Sequence, residues 1–156
     1  MHDACVDGEG LLRPAIAGLF TLTELRGGGD IAVGEPMRFF AEAAWYPTAL
    51  LASQRVRRQP VDEGTARATR VDGDTAVTLT FCFDADGAMT SVRADARGRL
   101  VGGRSVPTPW EGRWSGHQHC NGMVVPMHGE VAWLLPGGAR PDWRGTVTAL
   151  DHEFGR

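Results

Sequence analysis

The sequence predicts an α+β domain in which a mainly antiparallel sheet carries one principal helix. Three observations lead there. The stretch "TAVTLTFCF" (75–83) alternates strictly, with Val77, Leu79, Phe81 and Phe83 on one side and Thr78, Thr80 and Cys82 on the other. That period of two marks a half-buried strand. Tight-turn pairs recur at Asp72-Gly73, Asp86-Gly87, Asn121-Gly122 and Gly137-Gly138, between segments rich in β-formers, as hairpins require. Only one segment carries a clear helical period.

Taken in order, the first apolar stretch, "EGLLRPAIAGLFTLTEL" (9–25), has poor periodicity and reads as one or two strands broken at Pro14. The helix is predicted to start at Gly34-Glu35-Pro36, with Pro36 at the first helical position and Glu35 near the positive end of the dipole. Met37, Phe40, Ala41 and Ala44 then share one face. Pro47 ends it, because the residue before a proline is pushed toward extended backbone, and Thr48 caps a short further turn through Leu51. "RVRR" at 55–58 reads as an alternating strand with its arginines facing solvent or carboxylates. The segments 64–71, 75–83 and 88–97 form a meander. Strands follow at 109–119, at 123–135 with an interruption at Pro126, and at 143–154. Pro126 belongs at an edge, bulge or break, since it cannot donate to a ladder.

A chain of 156 residues is most simply a single domain, 1–156. Its 42% hydrophobic content is too high for disorder. A formal charge of −3 gives no basic face for phosphates, so nucleic acid is not an expected partner. No membrane span is expected either, because no apolar run reaches the required length. "MHDACVDGEG" has neither the basic nor the apolar region of a signal peptide, so a cytoplasmic location is expected. Cys5, Cys82 and Cys120, odd in number and scattered, suit free thiols better than a disulfide framework.

Motifs for cofactor or metal chemistry are weak, and no cofactor and no metal are expected. His117 and His119 would share a strand face with Glu111 and Arg113, which is the pattern of a polar strand side; zinc wants three or four ligands. "DADG" (84–87) is a fragment of a calcium loop that a hairpin turn explains fully. "RGGGD" (26–30) lacks the Lys-Ser/Thr of a phosphate-binding loop, and "RWSGH" (113–117) lacks the glycine of a nucleophile elbow. Glu42 lies on the helix beside Trp45 and Tyr46. Burial there would raise its pKa toward acid/base use; pairing with an arginine such as Arg67 or Arg144 would make it structural. Trp110 and Trp114 share a strand face with Gly112 and Gly116, an arrangement that suits either core packing or a slot for a flat apolar ligand.

The segments "GEPMRFFAEAAWYPTALL", "VDEGTARATRVDGDTAVTLTFCFDADG", "PTPWEGRWSGH" and "GEVAWLLPGGARPDWRGTVT" resemble, in that order, a bacterial family catalogued only as a domain of unknown function. Its most specific pieces are W-Y-P-T-A-L-L and P-W-E-G-R. The resemblance runs from about Val6 onward and implies that the chain is the C-terminal part of longer relatives, lacking an N-terminal stretch of sheet. The chain departs from the family's pattern in two places, with Asp142 where the family tends to have an aromatic and no Tyr near His117, so a pocket lined by those aromatics would be altered here. The shape the resemblance implies is a strongly curved antiparallel sheet, a half-barrel similar to bacterial lipoprotein carriers, with the helix in its hollow. Such likeness gives fold and not function.

The leading expectation is therefore a small hydrophobic ligand bound in that hollow, with Trp45, Tyr46, Trp110, Trp114 and Trp133 as walls and Glu42 and Arg67 as polar anchors. One rival is an enzyme that uses Glu42 or His117 as acid/base on an apolar substrate. The other is a structural or partner-binding module without a ligand, and an unpaired sheet edge then suggests a homodimer.

Overall fold

A computed structural model describes residues 2–6, 9–13, 15–16, 20–21, 25–27, 30–73 and 75–152, with side chains from Pro36 onward apart from that of Asp72. The first part of the chain forms β1 (His2–Val6), β2 (Glu9–Arg13), β3 (Ala15–Ile16), β4 (Phe20–Thr21) and β5 (Leu25–Gly27). β1, β2 and β5 make a three-stranded sheet in that order, and β3 pairs with β4. The apolar stretch 9–25 thus contains more, shorter strands than its sequence suggests; Pro14 itself lies outside the described residues.

The helix α1 spans Asp30–Ala41 and passes into a 3-10 turn, Glu42–Ala44. It begins six residues before the expected start, and Pro36 lies inside it. A proline here removes one intrahelical hydrogen bond, a loss that packing on both sides of the helix offsets. α1 touches β1, β2 and β5 of the small sheet, and also the main sheet. The predicted break at Pro47 is where the sequence puts it. Tyr46 has φ −139°, and Pro47 opens a 3-10 turn, Pro47–Leu50, at a position where its missing N–H costs nothing.

After the 3-10 turn Ala52–Gln54, the main sheet is laid down by β6 (Val56–Asp62), β7 (Thr65–Asp72), β8 (Thr75–Phe83), β9 (Met89–Val101) and β10 (Arg104–Ser115). A separate small hairpin, β11 (Gln118–Cys120) and β12 (Met123–Val125), follows. β13 (His128–Leu135) and β14 (Gly138–Thr146) then complete the sheet. Its order is β14-β13-β10-β9-β8-β7-β6, antiparallel throughout, so it is a meander with one hairpin inserted. β14 and β6 are its two edges, and the sheet is not closed into a barrel.

Several strand boundaries differ from the sequence reading. β10 starts earlier than residue 109 and stops at Ser115, and β14 occupies 138–146 rather than 143–154. The strand cannot continue to residue 119 because Gly116 turns the chain at φ +67°. Asn121 and Gly122, both at positive φ (50° and 83°), make the two-residue turn between β11 and β12, the geometry for which Asn-Gly is favoured.

The core lies between α1 and the inner face of β7–β10. Phe40 packs edge-to-face on Phe81, ring centroids 5.5 Å apart. Met37, Ala41 and Ala44 from the predicted helix face join Val77, Leu79, Val92 and Trp110 in one buried cluster. Among the described residues, no helix is long and apolar enough to cross a membrane.

Candidate functional site

A cavity of about 550 Å³ lies where the end of α1 meets the β10–β13–β14 part of the sheet. Arg38, Glu42, Trp45 and Tyr46 form its helical wall, Trp110, Trp114, Val131 and Trp143 its floor, and Thr146 to Leu150 close one side.

The floor exists because large and small residues alternate across neighbouring strands. Trp114 stands opposite Gly129 in the ladder, and Gly129 opposite Gly145. A Cβ at Gly129 would come within 2.6 Å of the Trp114 ring, and one at Gly145 within 2.2 Å of the Trp143 ring. The glycines thus let the indoles lie down on the backbone. Gly112 serves similarly between Trp110 and Trp114. The small residues paired with aromatics in the sequence therefore make room for the protein's own rings first.

Trp45 is fixed from both ends. Its Nε1 donates to the Pro126 carbonyl at 2.8 Å, its own carbonyl accepts from His152 Nε2 at 2.8 Å, and its ring meets that of Trp114 at 4.7 Å. Pro126, fully buried beyond the end of β12, is thus a break in the strand that supplies an acceptor. Tyr46 donates to the Phe39 carbonyl at 2.8 Å and stacks on the Phe39 ring. Burial pushes the Tyr46 hydroxyl above its ordinary range; the neighbouring Glu42 charge adds to this and Arg38 opposes it.

Glu42 is held by Arg38, one turn earlier, at 2.9 Å, and its side chain is about one-third exposed (34%). Its partner is neither Arg67 nor Arg144. Arg144 instead grips Glu130 on the outer face. Arg67 is exposed on β7 beside the buried Ala68, so it points away from the cavity. Trp133 does face inward, paired with Trp110, but it is not part of the cavity lining. The Arg97 guanidinium covers it, 5.0 Å from the Trp110 ring centroid and 5.9 Å from that of Trp133.

Of the residues singled out from sequence, then, Glu42, Trp45, Tyr46, Trp110 and Trp114 line one space, and Trp133 and Arg67 do not. Arg97, Arg38 and Trp143 join them. The sequence holds a sign of Arg38, four residues before Glu42, a spacing that brings the two together on a helix. For Arg97 it holds none. Ala94 pairs with Trp110 but Arg97 pairs with Thr108, so β9 carries one extra residue there. Such a bulge reverses which residues face inward.

His117 lies elsewhere. It borders a second cavity of about 630 Å³, with Asp84, Asp86, Met89 and His119 among its lining. His117 Nε2 donates to the Met89 carbonyl at 2.9 Å, and Asp84 accepts from the backbone N–H groups of Asp86 and Ala88. Glu42 and His117 therefore line different cavities. The shared strand face expected for His117 and His119 is absent, because the chain has left β10 at Gly116. Among the described residues, no three His, Cys, Asp or Glu side chains converge as a metal site would need. Cys82 and Cys120 are free thiols.

Neither the curated proteins nor the solved structures include a match to this chain. The sequence does match a family model over residues 1–152, and the chain belongs to DUF6920, a family of unknown function.

Proposed function

We propose that the protein binds a small, largely apolar ligand in the cavity between the end of α1 and the inner face of β10, β13 and β14. The observation that carries this reading is the lining. Trp45, Tyr46, Trp110, Trp114 and Trp143 converge on one space of about 550 Å³ with Val131 and Leu150, and only a few polar groups stand among them. Concave, mainly apolar spaces of this size with few polar groups are the usual form of small-molecule sites. The larger cavity beside His117 supports a ligand less well, since Asp84 there already accepts from the loop backbone and His117 is bonded to Met89. On this reading the sheet's inner face is the hollow, and the broken helix forms its rim.

The test uses 1-aminoanthracene, a flat neutral fluorophore. Its fluorescence rises with saturable one-to-one binding to the folded protein. Trp114→Ala, which removes the centre of the floor, weakens that binding at least tenfold. Binding that is non-saturable, or that is unchanged in Trp114→Ala at equal foldedness by circular dichroism, would place the probe elsewhere and overturn the reading.

A further inference from the structure

We infer that the ligand of this cavity carries a cationic head, an ammonium group held between the Trp143 ring and the Asp142 carboxylate. This rests on the reading of the cavity as an apolar ligand site and adds the chemistry of the ligand's polar end.

A bulge in β14 brings the acid inward. Val131 pairs with Trp143 and Ala132 with Pro141, so Asp142 is an extra residue in the ladder. In a bulge two residues of one strand stand across from a single residue of the other, here Asp142 and Trp143 across from Val131. Were β14 straight, successive side chains would alternate, and with Trp143 on the cavity side Asp142 would be turned to the opposite face. Instead Asp142, Trp143 and Val131 all line the cavity. A carboxylate thus stands next to an indole at the β14 flank of a mainly apolar space.

The charges of the lining are unequally engaged. Arg38 and Glu42 hold each other at 2.9 Å. Arg97 lies over the Trp110 and Trp133 rings and has a further partner besides. Among the described residues Asp142 makes no hydrogen bond and no ion pair. Of the four charged side chains in the lining, Asp142 alone is left for a ligand, and the charge it calls for is positive. Arg97 enters from β9 and Asp142 from β14, on opposite flanks of the floor, with β10 and β13 between them.

The same edge supplies an aromatic face. Trp143 lies against the backbone of two glycines: a Cβ at Gly129 would stand 3.1 Å from its ring, and one at Gly145 would collide with it. With one side of the ring on the sheet the other is open, and the residue stays nearly half exposed (47%). An indole face is the best aromatic partner of a cation. The protein seats its own cations in this way, Arg97 over Trp110 at 5.0 Å and Arg70 over Phe39 at 5.2 Å. An ammonium between the Trp143 face and Asp142 gains both interactions, while its apolar body lies over Trp114 toward the helix. The net charge of −3 favours the approach of such a ligand.

The experiment is displacement of 1-aminoanthracene by decyltrimethylammonium, decan-1-ol and decanoate, at concentrations that leave the circular dichroism of the protein unchanged. Decyltrimethylammonium should displace the probe about tenfold more tightly than the alcohol, the combined scale of a partly exposed ion pair and one cation–π contact. Decanoate should bind no more tightly than the alcohol. In Asp142→Asn the preference for the cation should fall at least about threefold, while the alcohol's own affinity stays within about twofold. Raising salt should narrow the preference in the unaltered protein. Glu63→Gln removes the same charge from the turn between β6 and β7, at the opposite edge of the sheet, and should leave the preference as it was. Equal affinity for cation and alcohol, or decanoate binding more tightly than the alcohol, overturns the inference and leaves the apolar site standing. So does a preference that survives Asp142→Asn or falls equally in Glu63→Gln. No saturable binding of the neutral probe overturns the site itself.

Discussion

At the scale of single residues, the cavity floor depends on the absence of side chains. Gly129 has the Trp114 ring where its Cβ would be, at 2.6 Å, and the Trp143 ring at 3.1 Å, whereas nothing lies within 4 Å of a Cβ at Gly137. Gly129→Ala should therefore destabilise the protein by about 1–3 kcal/mol, the usual cost of overpacking. Gly137→Ala should fall within about 0.5 kcal/mol of the parent. Urea denaturation of the two variants checks the contrast. Tyr46, the single tyrosine of the chain, gives a spectroscopic counterpart. Its hydroxyl titrates above the ordinary value near 10 while folded. Between the unfolded and folded values the native state holds a proton that the unfolded state has lost, so stability is full below about pH 10 and declines as pH rises beyond it. Ultraviolet titration should show no tyrosinate in the folded protein at pH 10.5, and Tyr46→Phe should lessen the alkaline decline. The aromatic members of the site were legible in the sequence as side chains that needed burial. Which of them would face an open space was not, because that follows in part from distant glycines such as Gly129, which meets the Trp114 ring only because β13 pairs with β10.

At the scale of elements, parity is what the sequence conveys and bulges are what it conceals. The alternation of 75–83 put Val77, Leu79 and Phe81 inward, and they are buried. The same logic fails on β9, where register shifts beside Phe83 and between Ala94 and Arg97 each add a residue. Arg97 therefore stands where sequence reasoning placed Arg67, and no residue type marks the change. The break before Pro47 was read correctly, since Pro47 acts on its neighbour by local sterics, although the α-helix itself gives way to a 3-10 turn at Glu42. The start of the helix was missed, because contacts with β1, β2 and β5 lengthen it past the local signals of Gly34 and Pro36. Turns obey local chemistry more faithfully. In the β8–β9 loop Asp84 accepts from Asp86 N at 3.1 Å and Ala88 N at 2.8 Å. Asp84→Ala should cost about 1.5–3 kcal/mol, the range for hydrogen bonds to a charged group. Millimolar calcium should leave the melting temperature of the parent unchanged, since that carboxylate is already engaged by the loop.

At the scale of the whole molecule, the sheet is open, and openness invites strand addition. Both edges carry counter-measures. β6 contains Pro60 beside a register shift and exposes Arg57 and Arg58; β14 contains Pro141 beside another, with Arg140 and Arg144 exposed. Proline and charge on edges are the common means of blocking pairing. The edge-to-edge homodimer that an unpaired strand suggests is accordingly disfavoured, and sedimentation velocity should give one species near the chain mass of 16.8 kDa at about 50 µM. A concentration-dependent dimer abolished by a charge or proline added on β14 would show the opposite.

Occupation of the tryptophan-lined space by a ligand is reported directly by the indole N–H signals of the five tryptophans. In a ¹H–¹⁵N correlation spectrum titrated with 1-aminoanthracene, the resonances of Trp45, Trp110, Trp114 and Trp143 should shift together and saturate at one equivalent. The amides of Asp84 to Met89 and of His117, around the second cavity, should stay in place. Shifts confined to that second group, or indole signals that do not move at saturating probe, would contradict the account.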